Sequence, residues 1–264
     1  MSTLAEWTSR WDAFQDKLTR RLDEVHEEAM GAFDGIAEAS PLDHTPHAAL
    51  EMAIQGRHNK IGDKLDTAVE TLEEGLDSLS DDASDAEEAK IQALLDKAQA
   101  AQSELQFAIE LNDERCKVDG AARIAEAIEA AFQAEDPQQS CAQCGNPFDP
   151  GPITQSTAVT CPGCGANVTV GPHPAAMAWY SRGVDAVARK AAWPLFVAHR
   201  KAEAHYNDDM TPERLESNIQ AAEAYHRAVF GTLVERHPAW DEAKAEEQIQ
   251  GRCNQIRSMH DRFQ

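Results

Sequence analysis

Apolar residues in the first part of the chain recur three and four apart. Leu4, Trp7, Trp11, Phe14 and Leu18 hold this spacing, and after a four-residue step to Leu22 it resumes at Val25, Ala29, Phe33 and Ile36. The stripe is the a/d seam of a coiled coil interrupted by a stutter, and it predicts a helix over residues 3–39. Ser40-Pro41 closes it, because the residue before a proline is pushed out of the α region. Asp43-His44-Thr45-Pro46 reads as a loop and cap. A second helix then carries Leu50, Ile54, Ile61, Leu65, Val69, Leu72, Leu76 and Leu79. Gly56 and Gly62 each weaken it by about 1 kcal/mol relative to Ala, which places a kink there. Residues 80–85 read as a turn, with Ser84 and Glu87 in capping-box register. The third helix, 85–135, would be about 75 Å long at 1.5 Å per residue. Its seam is Ile91, Leu95, Ala98, Gln102, Leu105, Ile109, Asn112 and Cys116, continued less regularly by Ile124, Ile128 and Phe132 up to a stop at Asp136-Pro137.

The period changes after that stop. Ile153–Thr160 and Asn167–Val170 are rich in Val, Ile and Thr and predict short strands, and Gly171-Pro172-His173-Pro174 is the exit. Helical spacing returns over 175–206, with Pro194 expected to kink the helix. Another helix begins behind Thr211-Pro212, and a last one follows Pro238 with Ile249, Cys253, Ile256, His260 and Phe263. The expected fold class is all-α: an elongated helical bundle or antiparallel coiled coil with a small embedded β ribbon. The expected domains are 1–136, 137–173 and 174–264.

Charge sharpens this division. The formal charge of −22 is concentrated in residues 1–136, which hold 12 Lys+Arg against 32 Asp+Glu, while residues 137–173 hold only Asp149. An acidic half repels phosphate backbones and argues against general nucleic-acid binding. No aromatic–basic interleaving is evident that would mark a single-strand groove. No apolar run approaches the roughly 18 residues of a membrane span, and the N-terminus lacks the basic and apolar segments of a signal peptide.

Between the two helical parts lie Cys141-Ala142-Gln143-Cys144-Gly145 and Cys161-Pro162-Gly163-Cys164-Gly165. Two Cys-x-x-Cys pairs at this separation can place four thiolates around one Zn²⁺. The glycine after each pair allows the left-handed turn that folds the loop under a metal. Both segments resemble the knuckles of the zinc-ribbon (rubredoxin-like) family, a resemblance that covers about residues 141–170. A single iron on the same thiolates, or two disulfides, are the other uses of four cysteines. An iron site of the rubredoxin type would sit in an aromatic-rich shell, and Phe148 alone does not supply one. Four protein ligands fill the tetrahedron, so the expected zinc is one structural ion held by Cys141, Cys144, Cys161 and Cys164. Cys116 and Cys253 fall on apolar seams and read as single buried thiols, and thiols kept reduced point to the cytoplasm.

Other candidate chemistry is thinner. Glu223-x-x-His226 is the helix step of di-iron carboxylate bundles, with Asp23-x-x-His26 its nearest echo. His44, His47 and His58 are read as loop, cap and helix residues, and His199, Glu203 and His205 share one helix. Zinc ribbons often touch nucleic acid, but no Lys or Arg lies between Pro137 and His173. The three prolines of Asn146–Pro152 preset a loop on which Phe148, if exposed, would anchor a partner. The reading is therefore a non-enzymatic cytoplasmic zinc-binding adaptor or scaffold with protein partners and room for self-association. A nucleic-acid-associated regulator and a di-iron-type helical enzyme stand as its alternatives.

Overall fold

The computed structural model describes residues 3–80, 83–135, 138–151 and 153–263. The expected turn at Asp81-Asp82, the stop at Asp136-Pro137, Pro152 of the ribbon loop and the side chain of Phe263 lie outside the described residues. The chain is mostly helical with a small β region. Its elements are α1 (Leu4–Ala39), α2 (His44–Ser80), α3 (Asp85–Gln133), four short strands, and α4 to α8 from Pro174 to Phe263.

The chain divides into two compact units. The first is residues 1–35 with 44–120, and the second is residues 36–43 with 121–264. The division falls inside α3, upstream of the boundary at 136 that the charge pattern suggests. The last turns of α3 therefore pack with the C-terminal helices. Phe132 meets Trp179 and Tyr180 at ring distances of 6.5 and 5.5 Å, and Glu129 pairs with Arg236.

In the first unit the seams do what their spacing predicts. Trp11, Leu18, Leu22 and Val25 of α1 share one core with Ile61, Leu65, Val69, Leu72 and Leu76 of α2 and Ile91, Leu94, Ala98 and Ile109 of α3. Trp7 lies on Gly75 and Phe33 meets His47, so α1 and α2 run antiparallel. Lys97 pairs with Asp12 and Asp119 with His26, so α3 runs alongside α1 in the same direction. Helix starts are capped as the sequence indicates: Glu87 accepts from the Ser84 amide at 3.0 Å and from its hydroxyl at 2.7 Å. In α3 Leu94, not Leu95, is the buried leucine.

In the second unit the first C-terminal helix is broken rather than kinked. α4 (Pro174–Ala178) passes into a π-helical turn at Trp179–Gly183, followed by α5 (Val184–Ala191) and α6 (Trp193–Asp208). Pro194 lacks an N–H and its ring opposes the carbonyl four residues back, so the helix restarts with Pro194 in its first turn. The π turn sits where the Trp179 ring covers Gly183, a position at which any Cβ would collide with it. α7 (Pro212–Arg236) packs against α5, α6 and α8 (Glu242–Phe263), and its Thr211 cap accepts from the Arg214 amide.

Cys116 and Cys253 are 0% and 2% exposed. Burial pushes the Cys116 thiol up to about 12 and raises that of Cys253 as well. Both should react with a thiol reagent only on unfolding. Mass spectrometry of native, metal-loaded protein after brief alkylation should find neither modified, and fast labelling at either would contradict these helix registers.

Candidate metal centre

The four cysteines come together because each knuckle closes a two-stranded antiparallel hairpin. β1 (Gln139–Ser140) pairs with β2 (Pro147–Phe148) around Cys141 and Cys144. β3 (Thr157–Thr160) pairs with β4 (Asn167–Val170) around Cys161 and Cys164. The two turns share one backbone pattern. The Cys141 amide donates to the Asn146 carbonyl at 3.0 Å and the Gly145 amide to the Cys141 carbonyl at 2.8 Å. The Cys161–Ala166 and Gly165–Cys161 bonds repeat this at 2.8 and 2.9 Å. Gly145 and Gly165 sit at φ of 71° and 73°, the left-handed region that disfavours a side chain.

All four sulfurs lie within 4.8 Å of one another, and Cys141–Cys164 and Cys144–Cys161 are each 3.8 Å apart. Four sulfurs about 2.3 Å from one ion at tetrahedral angles have edges of about 3.8 Å, so the donor set fits Zn²⁺. A disulfide needs about 2.05 Å, and none of the six cysteines is bonded to another. Electrostatics point the same way. The backbone amides of Cys144 and Gln143 bring the Cys141 thiol down to about 7. The Asn146 amide would lower Cys144 too, but the sulfurs of Cys164, Cys141 and Cys161 raise it to about 12. Thiolates this close cannot all ionise without a cation among them.

The ribbon core is Cys141, Phe148, Ile153, Cys161 and Val170, with Val159 and Val168 against it. Phe148 is 7% exposed, so its ring belongs to this core and does not present a partner anchor. In a unit this small the largest apolar side chain is the one the core must take. β1 and β2 escaped the sequence reading because Gln, Ser and Pro carry no strand propensity, and Ile153 is buried from a loop rather than a strand.

The other candidates are dispersed. His44 and His47 lie in the first turn of α2 rather than in a loop, with rings 5.4 Å apart. His58 faces α3, and among the described residues only the four cysteines form a cluster able to hold a metal. Glu223 bonds Arg227, while His226 packs among Tyr225, Phe230 and His199. His26 bonds Asp119 in the first unit, so the two halves of the suspected di-iron motif belong to different units. Glu203 pairs with Arg200, and His205 is exposed.

Two histidines give the units opposite responses to pH. Burial alone would lower His58, but hydrogen bonds to Asp113 and Asn112 outweigh it and the group is raised. Its Nε2 is 2.8 Å from Asn112 Oδ1, and its Nδ1 is 3.0 Å from the Ile54 carbonyl and 3.2 Å from Asp113 Oδ1. Acceptors at both nitrogens favour the imidazolium. Its stabilisation is complete below its ordinary value of 6.5 and is lost as pH rises through the raised one. His226 is brought down to about 4, first by burial and then by His199, Arg252 and Arg189. It is held neutral, so its contribution is complete above 6.5 and lost as pH falls toward 4. With a discount for partial exposure, the loss is about 1–2 kcal/mol. Melting curves against pH should show a shallower acid limb for His226→Leu and a shallower alkaline limb for His58→Gln. The reverse assignment would contradict the hydrogen bonding.

No family model, curated protein or solved structure matches the chain. No helix among the described residues is long and apolar enough to cross a membrane.

Proposed function

We propose that this chain is a non-enzymatic cytoplasmic zinc-binding adaptor, in which one Zn²⁺ on Cys141, Cys144, Cys161 and Cys164 fixes the ribbon and the helices bind other proteins. The carrying observation is the sulfur geometry: four thiols within 4.8 Å, with two 3.8 Å edges matching a zinc tetrahedron. Zinc there supplies a cross-link and no open coordination position. The protein's part is to present the sulfurs preformed. The repeated amide bonds and the two left-handed glycines set each turn, and amides of Gln143 and Gly163 approach the sulfurs of Cys141 and Cys161 at 3.4 Å. Such N–H donors disperse thiolate charge and favour the ligand form.

The adaptor reading is supported by long helical surfaces and by the lack of Lys or Arg in the ribbon, where a nucleic-acid contact would need them. Reduced thiols support the cytoplasmic placement. Elemental analysis of protein purified without added metal should find about one zinc per chain. Iron in its place, or a metal-free chain with two disulfides, would refute the assignment.

A further inference from the structure

Residues 1–136 contain twelve Lys and Arg, and six of them line one groove. Lys17, Arg20, Arg21, Arg57, Lys60 and Lys64 border a trough of about 530 Å³ between α1 and α2, floored by Phe14, Leu18, Val25 and Ile61. Glu24 is the one acid among its lining residues. At Phe14 and Lys64 it continues into a second trough of about 440 Å³, lined by Trp7, Trp11, Ala68 and Leu72 with Arg10 beside them. No α3 residue lines either part. From Trp7 to Val25 the floor extends about 27 Å along α1 at 1.5 Å per residue.

Elsewhere in this unit Lys97 pairs with Asp12, Arg115 with Asp119 and Lys117 with Asp113. On the groove Arg21 meets Glu24 and Glu28, and Arg57 meets Glu28. Lys17, Lys60 and Lys64 have no carboxylate partner among the described residues, and the Arg20 Nε–H goes to the Asp16 carbonyl. A strongly acidic unit thus leaves uncompensated positive charge along both rims of its apolar trough. An amphipathic helix seats its i, i+3, i+4, i+7 stripe on such a floor, and its flanks then meet the rims. Complementarity requires those flanks to be acidic.

We propose that the α1–α2 groove binds an acidic amphipathic helix of another protein, its apolar stripe over the half-buried Phe14 and Ala68 and its carboxylates against Lys17, Lys60 and Lys64. The proposal rests on the adaptor reading and gives it a partner class. A second copy of the chain is a poor source: among the described residues the large exposed apolar side chains are scattered ones such as Met52, Met177 and Met259, not a stripe. Single-stranded nucleic acid needs free ring faces. Trp11 is 3% exposed and stacked on Phe14 at 5.8 Å, and Arg10 covers Trp7. A single-headed anionic lipid needs cations at one end, whereas these line both sides.

The test is fluorescence anisotropy with a labelled peptide of about 20 residues, Leu at heptad a and d positions and Glu on the flanks. The full zinc-loaded chain should bind it, and binding should weaken by about tenfold or more in the Lys17→Glu/Lys60→Glu/Lys64→Glu variant and at about 0.5 M salt. All three lysines are exposed, so circular dichroism of the variant should match the native chain. A peptide with Lys in place of Glu should not bind. The Cys161→Ser chain should bind the Glu peptide as the native chain does, which separates failure of the groove from failure of the ribbon. Equal binding by the charge-reversed variant, no preference for Glu over Lys, or tighter charge-dependent binding to phosphatidylglycerol vesicles or oligothymidylate would each overturn the assignment. So would absence of peptide binding, even if a partner still crosslinks to the ribbon.

Discussion

Replacing Cys161 by serine should unfold the ribbon while leaving most of the helical signal in place. Residues 139–170 bury few apolar side chains besides the cysteines themselves, and their strands are two to four residues long. A unit of that size has no independent core, and structural zinc in small fingers contributes apparent binding energy on the order of 10–16 kcal/mol. The 1%-exposed Cys161 sulfur faces Cys144 at 3.8 Å and accepts the Gly163 amide, so its loss removes one ligand and the bond that shapes its knuckle. Zinc content should fall from about one per chain to near zero. Proteolysis should then cut within 139–170, while far-ultraviolet ellipticity changes by no more than the strands can account for. A collapse of ellipticity would mean that the helical units depend on the ribbon for their own cores.

A second large effect is expected at Gly120. The fully buried Phe33 ring of α1 lies against this glycine of α3, and a Cβ there would overlap ring carbons. Alanine in a helix interior is ordinarily worth about 0.5–1 kcal/mol over glycine. Here the sign reverses, because a ring with no exposed surface has nowhere to turn, and overpacking of this kind costs about 1–3 kcal/mol. Gly120→Ala should therefore lower the melting temperature of the first unit by several degrees, roughly 2–8 °C. Phe33→Leu in the same chain should recover part of the loss. Additivity of the two substitutions would show that they do not share the contact.

This contact also illustrates what the sequence conceals. A glycine inside a helix ordinarily only weakens it, whereas Gly120 admits a ring from another helix. Periodicity made the helices and their buried faces legible because burial repeats every three to four residues, as at Leu18, Leu22, Val25 and Leu65, Val69, Leu72. The four sulfurs were legible because metal chemistry demands ligand type and spacing together. Three other features were not. β1 and β2 are created by the knuckle that joins them rather than by their own residues. The division within α3 reflects which helices its last turns meet. The basic groove was hidden by arithmetic: a net charge for residues 1–136 averages away cations that two antiparallel helices gather on one side.

The burial of the cysteines is uneven. Cys141 and Cys161 are 2% and 1% exposed, while Cys144 and Cys164, the second member of each pair, are open to solvent. The inner pair is shielded by the ribbon, yet a competing thiol or chelator can reach the outer pair without any helix moving. A metal held by these four sulfurs would therefore exchange at a rate set by the thiols and chelators around it rather than by unfolding of the chain.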